Sequence, residues 1–155
     1  SIGTLGYVAR ASGRATDARL EHPALPAPDA YHLVTQDGGD VLARYLVRAE
    51  EAQVSAAVVV ELLRRAGSGR GSGGRDLPSV VPPGPAPGLG IVEGWRGRIV
   101  HRVELGADGL IRRLRVVDPS FFNWPALPVA LADTIVPDFP LANKSFDQSY
   151  AGNDL

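Results

Sequence analysis

The stretch from Asp40 to Ala66 constrains this chain more than any other feature. Asp40 follows Gly38 and Gly39, and its carboxylate suits the orphan amides of a helix N-terminus. Leu42, Tyr45, Leu46, Ala49, Ala56, Val59, Val60 and Leu63 then recur at mostly helical spacing, which predicts one apolar face. Arg64 and Arg65 fall in the last turn, favourable for the helix dipole, and Gly67 is placed to close the helix in a left-handed conformation. At about 1.5 Å per residue such a helix is roughly 40 Å long, so the rest of the chain must be arranged along it. Val58-Val59-Val60 lowers its local propensity, so tertiary burial has to support it.

The remaining segments predict an α+β fold with a small antiparallel sheet and shorter helices. Residues 1–39 are rich in Gly and Pro and offer one short helix or strand. Arg98 to Leu105 and Leu110 to Val117 are rich in β-branched residues, with a turn signal at Gly106-Ala107-Asp108-Gly109. Leu110, Leu114 and Val116 alternate with Arg113 and Arg115, the pattern of a hairpin with one wet face. Asp118-Pro119-Ser120 reads as a turn or helix start, and Leu127, Leu131 and Ile135 as a short helix with Pro125 and Pro128 in or near its first turn. Pro137 and Pro140 lead into a polar tail. Residues 67–90 have flexible-linker composition in their first half and lean to polyproline II in their second. They read as a surface loop, the rival being a proline-rich ligand for a small recognition domain.

Composition excludes several classes of function. The chain of 155 residues has no cysteine, so protein thiolates hold no metal or iron–sulfur cluster here. A net charge of −1 gives no basic field for nucleic acid. No apolar run is long enough to span a bilayer, and no signal peptide is visible at the N-terminus. The absence of methionine, position 1 included, is expected of a piece of a longer product. His22, His32 and His101 lack metal-ligand spacing. Asp118, Asp133, Asp138, Asp147 and Asp154 are scattered over loops, and no nucleotide fingerprint or nucleophile elbow occurs. No catalytic residue follows from motifs alone.

Three stretches together are more specific. They are Gly6-Tyr7-Val8-Ala9-Arg10-Ala11-Ser12-Gly13 with Asp17-Ala18-Arg19, then Glu93-Gly94-Trp95-Arg96-Gly97, then Phe122-Asn123-Trp124-Pro125-Ala126-Leu127 running on to Pro140-Leu141. In this order the chain resembles the C-terminal part of the large subunit of membrane-bound, energy-converting nickel–iron hydrogenases. The likeness is especially to the formate hydrogenlyase type, and the related large subunit of NADH:quinone oxidoreductase shares the framework. Tyr7 and Trp95 stand where that family usually has proline. By itself Arg96 is an ordinary charge before a strand; the resemblance implies a cleft-facing role over the family's metal site. Hydrogenases close with Asp-Pro-Cys-x-x-Cys. Here Asp147 matches the aspartate, while Ser149 and Gly152 stand at the cysteine positions. A serine hydroxyl is a poor ligand for nickel and glycine offers no side chain.

The resemblance therefore implies residues 1–155 as the C-terminal domain of such a large subunit, with the Gly/Pro loop at 67–90. It implies a membrane-associated redox complex, quinone-linked and without a nickel–iron centre, or else a non-catalytic scaffold or assembly domain, in either case not active alone. Arg10, Ser12, Glu93, Arg96, Asp147 and Ser149 are the implied cavity-lining residues, with no metal ligand among them. No cofactor is expected on this chain; a quinone is expected in the full complex and iron–sulfur clusters in the partner subunit. The implied partners are the N-terminal part of the same subunit, an iron–sulfur small subunit and membrane subunits. The implied location is the cytoplasm, peripheral on the inner face of the cytoplasmic membrane.

Overall fold

The computed structural model describes residues 3–23, 26–68 and 84–154. The long helix, α3, runs Val41–Gly67; α1 (Gly6–Arg10) and α2 (Ala18–Glu21) precede it. Asp40 caps α3 as its position predicts, accepting from the Ala43 amide at 2.7 Å. Gly67 is the last helical residue rather than a left-handed stop, and Ser68 is the C-cap.

The face that α3 buries differs from the one its apolar spacing predicts. Ala43, Arg44, Val47 and Val54 are buried against α1 and α6 (Phe139–Phe146), whereas Leu42, Tyr45, Val59, Val60 and Leu63 are exposed. Apolar residues occur on more than one side of this helix, so the partners present in the chain select the inner face. The core they make joins Tyr7, Val8, Ala11, Val34, Val47, Leu127 and Phe146.

Three antiparallel strands, β1 (Ala86–Gly94), β2 (Gly97–Leu105) and β3 (Ile111–Val117), form a sheet in the order β1-β2-β3. The β1–β2 turn is the pair Trp95-Arg96, with Gly94 opposite Gly97. The β2–β3 connection crosses the predicted turn, with a register irregularity at Glu104/Leu105. β1 starts at Ala86, so the second half of the Gly/Pro segment is partly strand; Pro87 is tolerated because β1 is an edge. The flexible-linker reading and most of the polyproline reading fall on residues 69–83, outside the described residues.

After the sheet come α4 (Pro119–Asn123), α5 (Ala126–Ala130), a 3-10 turn (Val136–Asp138), α6 and α7 (Tyr150–Asn153). Asp118 caps α4, bonding the Ser120 amide at 2.7 Å. α5 is shorter than the Leu127/Leu131/Ile135 spacing suggests, and Ile135 is exposed. α6 stands where the sequence reads as a Pro-led polar tail; its single proline, Pro140, lies in the first turn, where the missing amide hydrogen costs no helical bond. Asp147 ends α6 in the left-handed region at φ 44°, the one non-glycine with positive φ among the described residues.

Two glycines hold the start of α1 against the β1–β2 turn. Gly6 has φ +59°, and a methyl group built on it would lie 2.2 Å from the Arg96 carbonyl oxygen. Gly97 has φ +133°, and a methyl there would lie 2.7 Å from the Gly6 nitrogen. Gly6→Ala should therefore destabilise the chain by on the order of 3 kcal/mol or more, combining left-handed strain with backbone overlap. Gly90→Ala, on an open stretch of β1, should cost about 1 kcal/mol or less. Urea unfolding followed by circular dichroism compares the two; equal losses would refute the close-contact account.

Candidate functional site

Asn123 is fully buried and joins two of the three conspicuous sequence blocks. Its Oδ1 accepts from the Leu5 amide at 2.8 Å and its Nδ2 donates to the Arg96 carbonyl at 3.2 Å. The start of α1 and the Trp95-Arg96 turn are thus tied at the point where Gly6 meets Gly97. The six candidate residues distribute around this tie in separate groups.

Arg10 and Glu93 belong to one buried ionic network. Arg10 is 1% exposed; its Nε reaches Glu51 at 2.6 Å, and its Nη1 reaches Glu93 at 3.0 Å and Asp17 at 3.5 Å. Glu93 Oε2 also accepts from the Ala18 amide at 2.9 Å. Asp17 is held by Arg19 at 2.6 Å and by the Tyr31 hydroxyl at 2.7 Å. Burial works against the Arg10 charge, but Glu51 and Glu93 outweigh it and its pKa rises. Burial also raises Glu93, and there the amide and guanidinium donors do not fully offset it. At Asp17 burial raises, yet Arg19 and Tyr31 win and the pKa falls. Glu51 was not singled out in the sequence, where it is one of two adjacent acids on a long helix.

Arg96 and Asp147 make a second group. The Arg96 Nε donates to the Asp147 carbonyl and its Nη2 lies 3.5 Å from the Asp147 carboxylate, both side chains being partly exposed. Arg96 thus holds the left-handed turn that ends α6. The same turn is held from beneath by Tyr7, whose hydroxyl donates to the Phe146 carbonyl, as does the Gln148 side chain. Tyr7 is fully buried, its ring 6.1 Å from that of Trp95 and under the Arg48 guanidinium at 4.9 Å. Burial pushes its phenol up to about 12. The two aromatics that replace the resembled family's prolines are therefore neighbours in space.

Ser149 stands apart from both. Its Oγ caps α7, accepting from the Gly152 amide at 3.0 Å, and its own amide donates to the Ser120 Oγ at 3.1 Å. Gly152 is buried, and a methyl built on it would fall 2.5 Å from the Asp118 carboxylate carbon. Ser12 is exposed, bonds the Val8 carbonyl at 3.3 Å and borders a different cavity. His22, His32 and His101 are exposed. Among the described residues no group of three or more His, Cys, Asp or Glu side chains is placed to hold a metal ion. No helix among them is long and apolar enough to cross a membrane.

Comparison with known proteins gives a consistent set of relatives. Residues 1–83 match the family model described as "Respiratory-chain NADH dehydrogenase, 49 Kd subunit". The chain is 32% identical over 147 residues to the carbon monoxide-induced hydrogenase of Rhodospirillum rubrum, covering 94% of this chain and 39% of that protein. It is 29% identical over 158 residues to formate hydrogenlyase subunit 5 of Escherichia coli, covering 99% of this chain and 26% of that one. Its fold superposes on a chain of the membrane-bound sulfane sulfur reductase, an archaeal respiratory membrane complex. The TM-score is 0.80 and the identity 27%, over 100% of this chain and 43% of that one. The chain thus spans well under half of the proteins it matches.

The buried phenol gives the site a measurable signature. Because the folded pKa of Tyr7 lies above its unfolded value near 10, its contribution is fully present below about pH 10. It is lost as pH rises towards 12. Tyr7→Phe should cost roughly 1–2 kcal/mol near pH 7 by removing a donor from the Phe146 carbonyl, and should flatten the decline between about pH 10 and 12. Denaturant unfolding of both proteins across that range tests this; parallel declines would remove Tyr7 from the alkaline limb.

Proposed function

The chain belongs to the family of the respiratory-chain NADH dehydrogenase 49 Kd subunit, the hydrogenase-like large subunits, and on that premise we propose its role. It is the C-terminal domain of a large subunit in a membrane-associated redox complex, working in quinone-linked electron transfer without a nickel–iron centre. Residues 1–155 act as one domain of that subunit.

The observation that carries this reading is the geometry at Ser149 and Gly152. These are the positions at which the resembled hydrogenases place metal thiolates. Here one hydroxyl is committed to capping α7, and the space above the glycine is filled by the Asp118 carboxylate. Neither residue is a soft donor of the kind nickel and iron take in such sites. A nickel–iron group does not fit this donor set, and no step is routed through one.

The partners follow from what the domain leaves uncovered. Leu42, Tyr45, Val59 and Leu63 on α3, with Val92 and Leu114 on the sheet, are exposed. An apolar area of this kind marks a contact surface. The occupant we assign is the N-terminal part of the same subunit, since the relatives are more than twice as long. An iron–sulfur small subunit and membrane subunits complete the complex, docked at the inner face of the cytoplasmic membrane, with a quinone bound in the full complex.

A scaffold role is the second reading, favoured by one observation. Arg10, Glu93, Arg96 and Ser149 all make hydrogen bonds or ion pairs inside the domain.

Metal analysis of the complex purified from its host tests the main reading. Nickel should be far below one atom per large subunit, and stoichiometric nickel held by this subunit would overturn it. Arg96→Ala in the assembled complex should lower quinone-linked turnover at least tenfold; unchanged turnover in an intact complex selects the scaffold.

A further inference from the structure

The domain buries two arginines and treats them differently. Arg10 is 1% exposed and is ringed by three carboxylates. Arg44 is 2% exposed and has no ion-pair partner among the described residues. Its Nε donates to the Ser145 Oγ at 2.9 Å and its Nη1 to the Gly39 carbonyl at 2.8 Å, both neutral acceptors. Its guanidinium lies over the Phe146 ring at 4.3 Å. Burial lowers its pKa, and the favourable charge of nearby Asp40, whose carboxylate accepts from the Ala43 amide, does not offset that; Arg48, one turn along α3, is a second cation beside it. Nη2 makes no hydrogen bond with any described residue. An arginine cannot shed its proton to relieve burial, and an uncompensated buried charge is costly.

Arg44 also lines a cavity of about 360 Å³. Its other walls are apolar at Val8, Ala126, Val129, Ala130 and Phe146 and polar at Thr4, Ser12 and Arg14, the last a second cation at the cavity. The volume is within the roughly 300–1000 Å³ of small-molecule pockets, and the lining has their usual form, apolar walls around a small number of placed polar groups. Side chain and cavity are independent observations: one lacks an anion, and the other offers space for one with an apolar tail.

We propose that the Arg44 cavity is a binding site for a small aliphatic carboxylate. The carboxylate accepts from the open edge of the guanidinium, whose fork is already oriented by Ser145, Gly39 and Phe146. The acyl chain lies against Val8, Val129 and Ala130. A phosphate or sulfate matches the charge but not the apolar walls, and an amide matches the shape but not the charge. The site is distinct from the Arg96–Asp147 group and does not rest on the redox reading.

The test uses the full 155-residue chain, labelled with nitrogen-15, at constant ionic strength. Sodium butyrate should give saturable shifts centred on Val8, Val129, Ala130 and the Arg44 side chain. Butyramide and inorganic phosphate should each bind at least tenfold more weakly. Equal responses to butyrate and butyramide, shifts centred elsewhere, or no saturation would overturn the proposal. Val129 is exposed at the cavity edge, so substitutions there leave Arg44 and the core in place. Val129→Glu, which brings an internal carboxylate to the cavity, should weaken butyrate binding at least tenfold, and Val136→Glu, exposed and outside the cavity lining, should leave it within about threefold. Undiminished binding in Val129→Glu would also overturn the assignment.

Discussion

The backbone contact between Gly6 and the Arg96-Gly97 segment is the constraint on which the rest of this domain depends. At the separation seen, neither position accepts a side chain. Asn123 then fastens the two segments by one donor and one acceptor in a site sealed from water, where each unmade bond costs more than a made one returns. With that contact closed, α1 lies along α3 and brings Tyr7 under the end of α6. The β1–β2 turn brings Arg96 over the same end. The left-handed Asp147 turn is thus gripped on two sides by groups far away in sequence. A non-glycine residue in that conformation is held by its surroundings rather than by local preference.

Electrostatics divides the interior into two halves along α3. Toward β1, Arg10 gathers Asp17, Glu51 and Glu93, and burial is offset by opposite charge. Toward α6, Arg44 and Arg48 meet carbonyls, a hydroxyl and aromatic faces, so the offset comes from dipoles and ring quadrupoles. The first half is neutralised from within the domain. In the second, neither arginine has a carboxylate within ion-pair distance among the described residues. Both halves hang on the same helix, so a change of charge in either acts on the packing of α3.

The periodic and punctuated parts of the fold were legible in the sequence. Asp40, the β-branched runs and the Gly106–Gly109 turn each act through neighbours a few residues away, and those elements formed, although Leu110 and Leu114, on the face expected to be dry, are exposed. The inner face of α3 was not legible, because apolar residues surround much of that helix and the choice was made by Tyr7, Val8 and Phe146 from other elements. α6 was obscured by a proline that sits where a helix tolerates it. At the site, the block resemblance located Arg10, Glu93, Arg96 and Asp147, but not their grouping. Glu51 and Arg44 carry no local mark: one is an acid among helix charges, the other an arginine whose distinguishing property is the lack of a partner. That property exists only in three dimensions.

Ser149, Gly152 and Asp118 tie the tail to the start of α4 through one connected set of caps and close contacts. Asp118 caps α4 through the Ser120 amide, and in that position its carboxylate occupies the space a side chain at 152 would need. Ser120 in turn accepts from the Ser149 amide, and Ser149 caps α7 through Gly152. A cysteine at 152 would displace Asp118 and remove a cap worth about 1 kcal/mol. A cysteine at 149 would exchange a good cap acceptor for a poor one. The two substitutions oppose the same set of hydrogen bonds, so α4 and α7 are built around the residues now present. A substitution at either position alone would therefore cost stability at both helices.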